Sequence, residues 1–184
     1  MRARYREPHR RYHGEEHLDE VLARVEELAD LATDVEAVRL AAVFHDAVYD
    51  PTQEGGGNER ASATLAREVL GDGALAVEVE RLVLLTATHT VGPGDLNGAV
   101  LNDADLAVLG ADPARYERYA AGVRSEYAHV EDPVWRVGRS AVLQRLLRRR
   151  RLYATERFHE RFDAAARANL AEELAALRGR QPQA

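Results

Sequence analysis

The stretch Ala41-Ala42-Val43-Phe44-His45-Asp46 is the most informative part of the sequence, because an apolar helix here runs into an adjacent His–Asp pair. Apolar residues from Val35 onward recur at three- and four-residue steps, and Asp34 stands where an N-cap belongs. A buried carboxylate needs a cation or several hydrogen-bond donors. Packing alone therefore explains the pair poorly, and the pattern indicates a site that other helices complete.

The rest of the chain also has a helical pattern. A first amphipathic stripe runs from Leu18 to Leu28, and further helices are predicted over about 59–70, 74–88, 113–127, 133–149 and 155–177, with a short apolar stretch near 100–109. Segments rich in Gly, Pro and Asp separate these helices at 50–58, 71–73 and 92–95. No stretch alternates with a period of two, so the predicted fold class is all-α.

Length and composition indicate one globular domain. The chain has 184 residues, of which 46% are apolar and 30% charged, and a chain of this size can bury a substantial core. We expect a single domain over 1–184, with a core of about 5–177 and a frayed tail at 179–184. No window approaches ~20 uninterrupted apolar residues, and the N-terminus has no apolar signal segment. We therefore expect a cytoplasmic protein with no membrane partner.

Charge and residue usage exclude several chemistries. The formal net charge is −6, which argues against duplex nucleic acid as the main partner. The chain contains no Cys, so thiolate metal sites and Cys nucleophiles are excluded. All 25 Lys+Arg residues are Arg, which excludes Schiff-base chemistry and a Walker A lysine.

Two further residues complete a metal-ligand set with His45 and Asp46. His17 opens the first amphipathic stripe, and Asp105 lies among apolar residues in a later helical segment. Two imidazoles and two carboxylates suit one divalent ion, with Mn, Fe, Co, Ni, Zn and Mg as candidates. Such an ion can polarise a phosphoryl group and lower the pKa of its bound water.

The order His17, His45-Asp46, Asp105 resembles the H…HD…D signature of the HD superfamily of metal-dependent phosphohydrolases. The resemblance to an uncharacterised branch of HD-domain proteins covers about residues 5–175 and is strongest in five stretches, residues 5–17, 44–51, 58–63, 103–110 and 123–127. It implies a helical bundle with the metal at its centre. It also implies His17, His45, Asp46 and Asp105 as the ligands.

Two ligand positions have rivals. His13 lies four residues before His17, and Asp103 lies two residues before Asp105. We favour Asp105 because the superfamily uses the Asp that follows an Ala. The residue of each pair that is not a ligand could orient a ligand or a water. Only His89 lies between Asp46 and Asp105, whereas dimetal relatives need more histidines there, so one metal ion is expected.

The candidate catalytic residues are Asp50, Glu59, His89 and Arg124. Several HD hydrolases carry a water-activating Glu three residues after the HD aspartate, but that position is Tyr49 here. Asp50 or Glu59 could replace it, although the first could equally form a turn and the second complement a helix dipole. His89 could contact a substrate phosphate or donate a proton. Arg124 could supply positive charge.

The resemblance implies a hydrolase in which metal-bound water attacks phosphorus in a small phosphorylated metabolite, with nucleotides among the candidates. The alternative is a non-catalytic HD module that senses a nucleotide or binds a partner. The missing Glu motivates this alternative. Homo-oligomerisation is left open by the sequence.

Overall fold

The computed structural model describes residues 1–53 and 55–179, and every regular element in these ranges is helical. The α-helices are α1 (Glu15–Glu27), α2 (Val35–Phe44), α3 (Gly57–Leu70), α4 (Ala74–Thr86), α5 (Leu96–Leu106), α6 (Pro113–Glu126), α7 (Asp132–Leu147) and α8 (Glu156–Gly179). Short 3-10 helices cover Arg2–Arg6, Ala29–Leu31 and Ala107–Gly110. The all-α prediction is confirmed for the described residues. Positions 180–184 of the predicted frayed tail lie outside them.

Helix ends follow the local chemistry of the chain. The Asp34 carboxylate accepts the Ala37 N–H at 3.0 Å, which confirms the predicted N-cap of α2. Gly71 ends α3 with a φ of 80°, a conformation that only Gly adopts at little cost. Helix α5 begins at Leu96, earlier than the predicted apolar stretch, because the Asp95 carboxylate accepts the Gly98 N–H at 2.9 Å.

The chain divides into two compact units, the first spanning Met1–Asp105 and the second beginning at Leu106. In the first unit α2 packs against α1, α3 and α4. Helix α2 is suited to this place because its inner face is built from small apolar residues, and Ala37, Ala41 and Ala42 are fully buried. The helix therefore delivers its last residues into the interior of this unit. That a single domain spans 1–184 stays a prediction.

The second unit packs α8 against α7 and against the 3-10 helix Ala107–Gly110. Its core includes Leu143, Tyr153, Phe158 and Leu170, all fully buried. The Tyr153 hydroxyl donates to the Leu106 carbonyl at 3.1 Å, so this buried polar group is satisfied. No described helix combines the length and apolar character that crossing a membrane requires.

Gly110 allows the 3-10 helix to approach α8 closely. A Cβ at this position would lie 2.7 Å from the Phe162 Cβ and 2.9 Å from the Phe162 carbonyl oxygen. We expect Gly110→Ala to lower the free energy of unfolding by about 1–3 kcal/mol, since backbone must shift to relieve the contact. Gly138→Ala, on the open face of α7, should instead raise it by about 0.5–1 kcal/mol. Urea unfolding of both variants measures this, and equal effects would contradict the packing described.

Candidate metal centre

Four side chains from three helical segments converge inside the first unit. The Nε2 atoms of His17 and His45 lie 3.1 Å apart. An Asp46 carboxylate oxygen lies 3.1 Å from the His45 Nε2 and 3.5 Å from the His17 Nε2. An Asp105 oxygen lies 3.3 Å and 3.7 Å from the Nε2 atoms of His17 and His45. Both imidazoles are buried, and both carboxylates are nearly so.

The helices that supply these residues are held together at a distance from the cluster. The Asn97 side chain in α5 accepts the Thr33 and Asp34 N–H groups at 2.9 Å, which fixes the start of α5 beside the start of α2. Asp105 follows Asn97 by about 12 Å along a helix and His45 follows Asp34 by about 16 Å, at 1.5 Å per residue. One contact near the helix starts therefore brings the far ends of both helices to the same site.

The backbone carbonyls at the end of α2 are all hydrogen-bonded, which fixes the direction of its last residues. The His45 N–H and ring Nδ1 lie 2.8 Å from the Ala41 and Ala42 carbonyl oxygens. The Tyr5 hydroxyl donates to the Val43 carbonyl at 3.1 Å. The Ala47 N–H donates to Phe44 at 2.9 Å. Each of the last four carbonyls of the helix thus has a partner.

The turn after α2 is bound by side chains from α3. The Ser62 hydroxyl accepts the Val48 N–H and lies 3.2 Å from the Val48 carbonyl oxygen. The Asn58 amide accepts the Asp50 N–H and donates to the Asp50 carbonyl, both at 3.0 Å. Asn58 lies in the first turn of α3, because this helix begins at Gly57, two residues before the predicted start. Side chains thus replace the backbone bonds that this turn lacks, and Asp46 is held in place.

The donor set fits a small divalent cation. The His45 Nδ1 faces the Ala42 carbonyl, so it carries the proton of a neutral ring and leaves the Nε2 lone pair directed at the cluster. That lone pair faces two carboxylate oxygens, which is unfavourable unless a metal cation or a proton lies between them. Ligands at about 2.1 Å from one ion lie roughly 3.0–3.4 Å from each other. The separations of 3.1–3.7 Å observed here are close to that range.

Without a metal, protons balance the charge of this cluster. Burial alone would lower the pKa of His45, but the carboxylates of Asp46 and Asp105 raise it to about 10. The pKa of His17 is raised as well, because hydrogen bonds to the two carboxylates outweigh its burial. Burial would raise the pKa of Asp105, but the charge of His45 lowers it to about 2. The pKa of Asp46 lies well below its ordinary value for the same reason.

These shifts predict how metal-free stability depends on pH. A raised pKa of His45 contributes stability that is complete below pH 6.5 and is lost as the pH rises towards 10. We therefore expect the free energy of unfolding of the metal-free protein to fall between pH 6.5 and 8.5. Metal binding displaces these protons, so stabilisation by added Mn²⁺ should grow over the same interval. Urea unfolding with and without Mn²⁺ measures both trends, and a flat profile for each would contradict them.

The two rival ligands lie beside the cluster. The His13 ring stacks on Tyr49 with centroids 4.3 Å apart and meets the His17 ring edge-on at 5.8 Å. Asp103 is fully buried and accepts the Asn102 amide at 2.9 Å. The structure thus places His17 and Asp105 in the cluster with the His–Asp pair. Their role as ligands stays a prediction.

The predicted catalytic residues of the first unit differ in their surroundings. His89 lies three residues after the end of α4 and has a φ of 52°, and its Nε2 lies 3.7 Å from the Asp105 carboxylate. The Asp50 carboxylate accepts the Thr52 N–H and hydroxyl at 2.8 and 2.7 Å, and the bond from the Thr52 backbone lowers the pKa of Asp50. Glu59 is half-buried in the first turn of α3. Of these three, the structure brings His89 to the cluster.

Arg124 belongs to the second unit. Its guanidinium donates to the carbonyls of Tyr127 and Val130 and to the Asp132 carboxylate, and it lies over the Trp135 ring at 5.2 Å. It also lines a cavity of about 530 Å³ formed by residues of α6, α7 and α8. The part predicted for Arg124 in the site stays a prediction.

Sequence reasoning missed the functions of the segment before α1. The stretch 5–17, one of the five that resemble HD-domain proteins, includes Tyr5, His9 and Arg10. Their side chains bind backbone carbonyls at the end of α2 or in the turn that follows. The signal was present as three polar side chains in a short segment, but periodicity does not show which backbone groups such side chains bind.

Comparison with protein families agrees with this geometry. The family model for the HD domain matches residues 14–121, which is more than half of the chain and contains all four candidate ligands. The chain therefore belongs to the HD-domain family, a superfamily whose members generally bind divalent metals and act as hydrolases. Searches of curated proteins and of solved structures returned no significant match.

Proposed function

We propose that this protein is a metal-dependent phosphohydrolase that acts on a small phosphorylated metabolite, with nucleotides among the candidate substrates. The observation that supports this most is the convergence of two imidazoles and two carboxylates from distant positions in the sequence, in which each carboxylate lies within 3.7 Å of both imidazole nitrogens. Membership of the HD-domain family supports the same reaction class. One divalent ion is proposed for the site.

His17, His45, Asp46 and Asp105 would hold this ion. When bound, a divalent ion supplies Lewis-acid chemistry that polarises a phosphoryl oxygen and makes a water molecule more acidic. The two carboxylates leave the site with low net charge once the ion is present, so a phosphate anion is not repelled. The nearly complete burial of the four side chains excludes bulk water and strengthens these interactions.

His89 is proposed to contact the phosphoryl group or the leaving group. Its ring lies next to Asp105, in the turn that follows α4, so it borders the cluster without belonging to the four proposed ligands. An imidazole there can donate a hydrogen bond to a phosphoryl oxygen or protonate a leaving oxygen. The left-handed backbone of His89 fixes where its side chain emerges.

Glu59 is the better of the two proposed general bases. The Asp50 carboxylate already accepts two hydrogen bonds from Thr52 and its pKa is lowered, so it is a weak proton acceptor. Glu59 lies on α3, the helix whose Asn58 and Ser62 bind the turn after Asp46. We propose that Glu59 accepts the proton of the attacking water.

The test is an assay of metal-free protein reloaded with Mn²⁺, Co²⁺, Ni²⁺ or Mg²⁺ against nucleotides and other phosphomonoesters. Wild-type protein should release phosphate with at least one metal, and Asp46→Asn should be at least about 100-fold slower. His129→Gln, a change at an exposed histidine of the second unit, is the matched control and should keep full activity. No turnover above the Asp46→Asn background with any metal would refute the proposed function.

The second candidate is a non-catalytic module that binds a nucleotide or a partner. It is favoured by Tyr49, which occupies the position of the water-activating Glu and is buried against His13. A module of this kind would show a higher melting temperature with a nucleotide and metal but no product. Product formation in the same samples would exclude it.

A further inference from the structure

Arg10 is a buried charge beside the proposed metal centre. Its side chain is 1% exposed and packs against two aromatic rings, with the guanidinium carbon 5.2 Å from the Tyr5 centroid and 5.4 Å from the Tyr49 centroid. Burying a charge is unfavourable unless it is paired and fully hydrogen-bonded. A guanidinium in this position therefore needs hydrogen-bond acceptors that offset the free-energy cost of its desolvation.

The partners of Arg10 are mostly backbone carbonyls of two separate segments. One terminal nitrogen, Nη1, donates to the carbonyl oxygens of His13 and Asp46, both at 2.8 Å. The Nε atom donates to the Glu7 carboxylate at 3.0 Å. The other terminal nitrogen reaches the Ala47 carbonyl at 3.5 Å. A single side chain thus joins the turn before α1 to the turn after α2.

Each of these turns leads directly to proposed ligands. His13 lies in the turn that opens α1, four residues before His17. Asp46 supplies its carboxylate to the cluster and its carbonyl to Arg10. The guanidinium donates to backbone carbonyls and to Glu7, and none of these acceptor atoms belongs to the side chain of a proposed ligand. The guanidinium therefore holds the backbone segments that orient the ligand side chains.

We propose that Arg10 is a positioning residue that sets the relative placement of His17 and Asp46 and thereby the metal affinity of the site. This inference rests on the proposed metal centre. The alternative is that Arg10 contributes only positive charge and general stability. The two differ in whether the flat, forked shape of the guanidinium matters, because only a fork donates to several carbonyls in fixed directions.

Arg10→Lys separates these alternatives, since it keeps the charge and the long stem but replaces the fork with a compact ammonium. We expect the dissociation constant for Co²⁺, measured by calorimetry, to rise about 10–100-fold, as for other residues that orient metal ligands. The visible absorption bands of bound Co²⁺ should also shift, because they report ligand geometry. Arg39→Lys, at an exposed arginine paired with Glu26, is the matched control and should change neither quantity.

Glu7→Gln provides a second variant in case Arg10→Lys does not fold. It removes one partner of the guanidinium on the exposed side and leaves the carbonyl contacts intact. We expect a smaller rise in the Co²⁺ dissociation constant, about 2–5-fold, with a shift of the absorption bands in the same direction. Unchanged affinity and spectrum in Arg10→Lys, or in Glu7→Gln should the first variant not fold, would overturn the positioning role.

These outcomes are distinct from failure of the proposed function. Wild-type protein that binds Co²⁺ as tightly as a folded Arg10→Lys variant would overturn the inference and leave the hydrolase proposal intact. Reduced Co²⁺ affinity in the variant, with no hydrolysis by wild-type protein, would support the inference and refute the hydrolase. Absence of Co²⁺ binding by wild-type protein would overturn both.

Discussion

Asp105→Asn is expected to weaken metal binding and to slow phosphate release by at least about 100-fold each. The substitution keeps the size of the side chain but removes the negative charge from an oxygen that lies 3.3 Å from the His17 Nε2. A neutral amide is a much poorer ligand for a divalent cation than a carboxylate. Calorimetry with Mn²⁺ and the phosphatase assay at saturating substrate measure the two effects.

Asp103→Asn is the matched control for this prediction. Asp103 is the rival of Asp105 in the same helix and is fully buried, but its carboxylate accepts a hydrogen bond from Asn102. We expect the Mn²⁺ affinity of the Asp103→Asn variant to stay within about threefold of wild type. The substitution should instead lower the free energy of unfolding. A larger loss of affinity in Asp103→Asn than in Asp105→Asn would mean that the ligand was assigned to the wrong aspartate.

His45→Gln should have the largest effect on the stability of the metal-free protein. The His45 imidazolium, with its pKa raised to about 10, neutralises part of the charge of two buried carboxylates. Removing one partner from a buried ion cluster is expected to lower the free energy of unfolding by about 3–5 kcal/mol near pH 6.5. Metal affinity should fall as well, because a ligand nitrogen is lost.

The measurement is urea unfolding at pH 6.5 in the presence of a chelator. The control is His129→Gln, a substitution at an exposed histidine of the second unit. Its free energy of unfolding should lie within about 0.5 kcal/mol of the wild-type value. Double substitution of His45→Gln with Asp46→Asn should recover part of the lost stability, because one of the uncompensated charges is then removed. A loss below about 1 kcal/mol in His45→Gln would contradict the charge balance described for the cluster.

Much of the fold could be predicted from local chemistry. The three- and four-residue spacing of apolar residues located the helices, and Asp34 and Gly71 marked a beginning and an end that the structure confirms. The start of α5 was missed because Leu96 follows a Gly- and Pro-containing segment, and that segment itself supplies the cap through Asp95. Periodicity detects the body of a helix better than it detects a cap.

The proposed ligands could be found because metal chemistry restricts which residue types occur together in a helical core. The residues that hold them could not, since their partners are backbone carbonyls that the sequence does not display. Arg10 is an example. From the sequence it is expected to be exposed, like most arginines, but its side chain is buried against two turns. The position of His89 beside Asp105 likewise depends on the left-handed backbone of His89 in the turn after α4.

The most direct test is a crystal structure of the protein loaded with Mn²⁺, with anomalous data collected at the Mn absorption edge. A single strong anomalous peak is predicted in the first unit, about 2.0–2.3 Å from the Nε2 atoms of His17 and His45 and from a carboxylate oxygen of both Asp46 and Asp105. A peak that these four side chains do not share, or no peak in protein saturated with Mn²⁺, would contradict the metal centre.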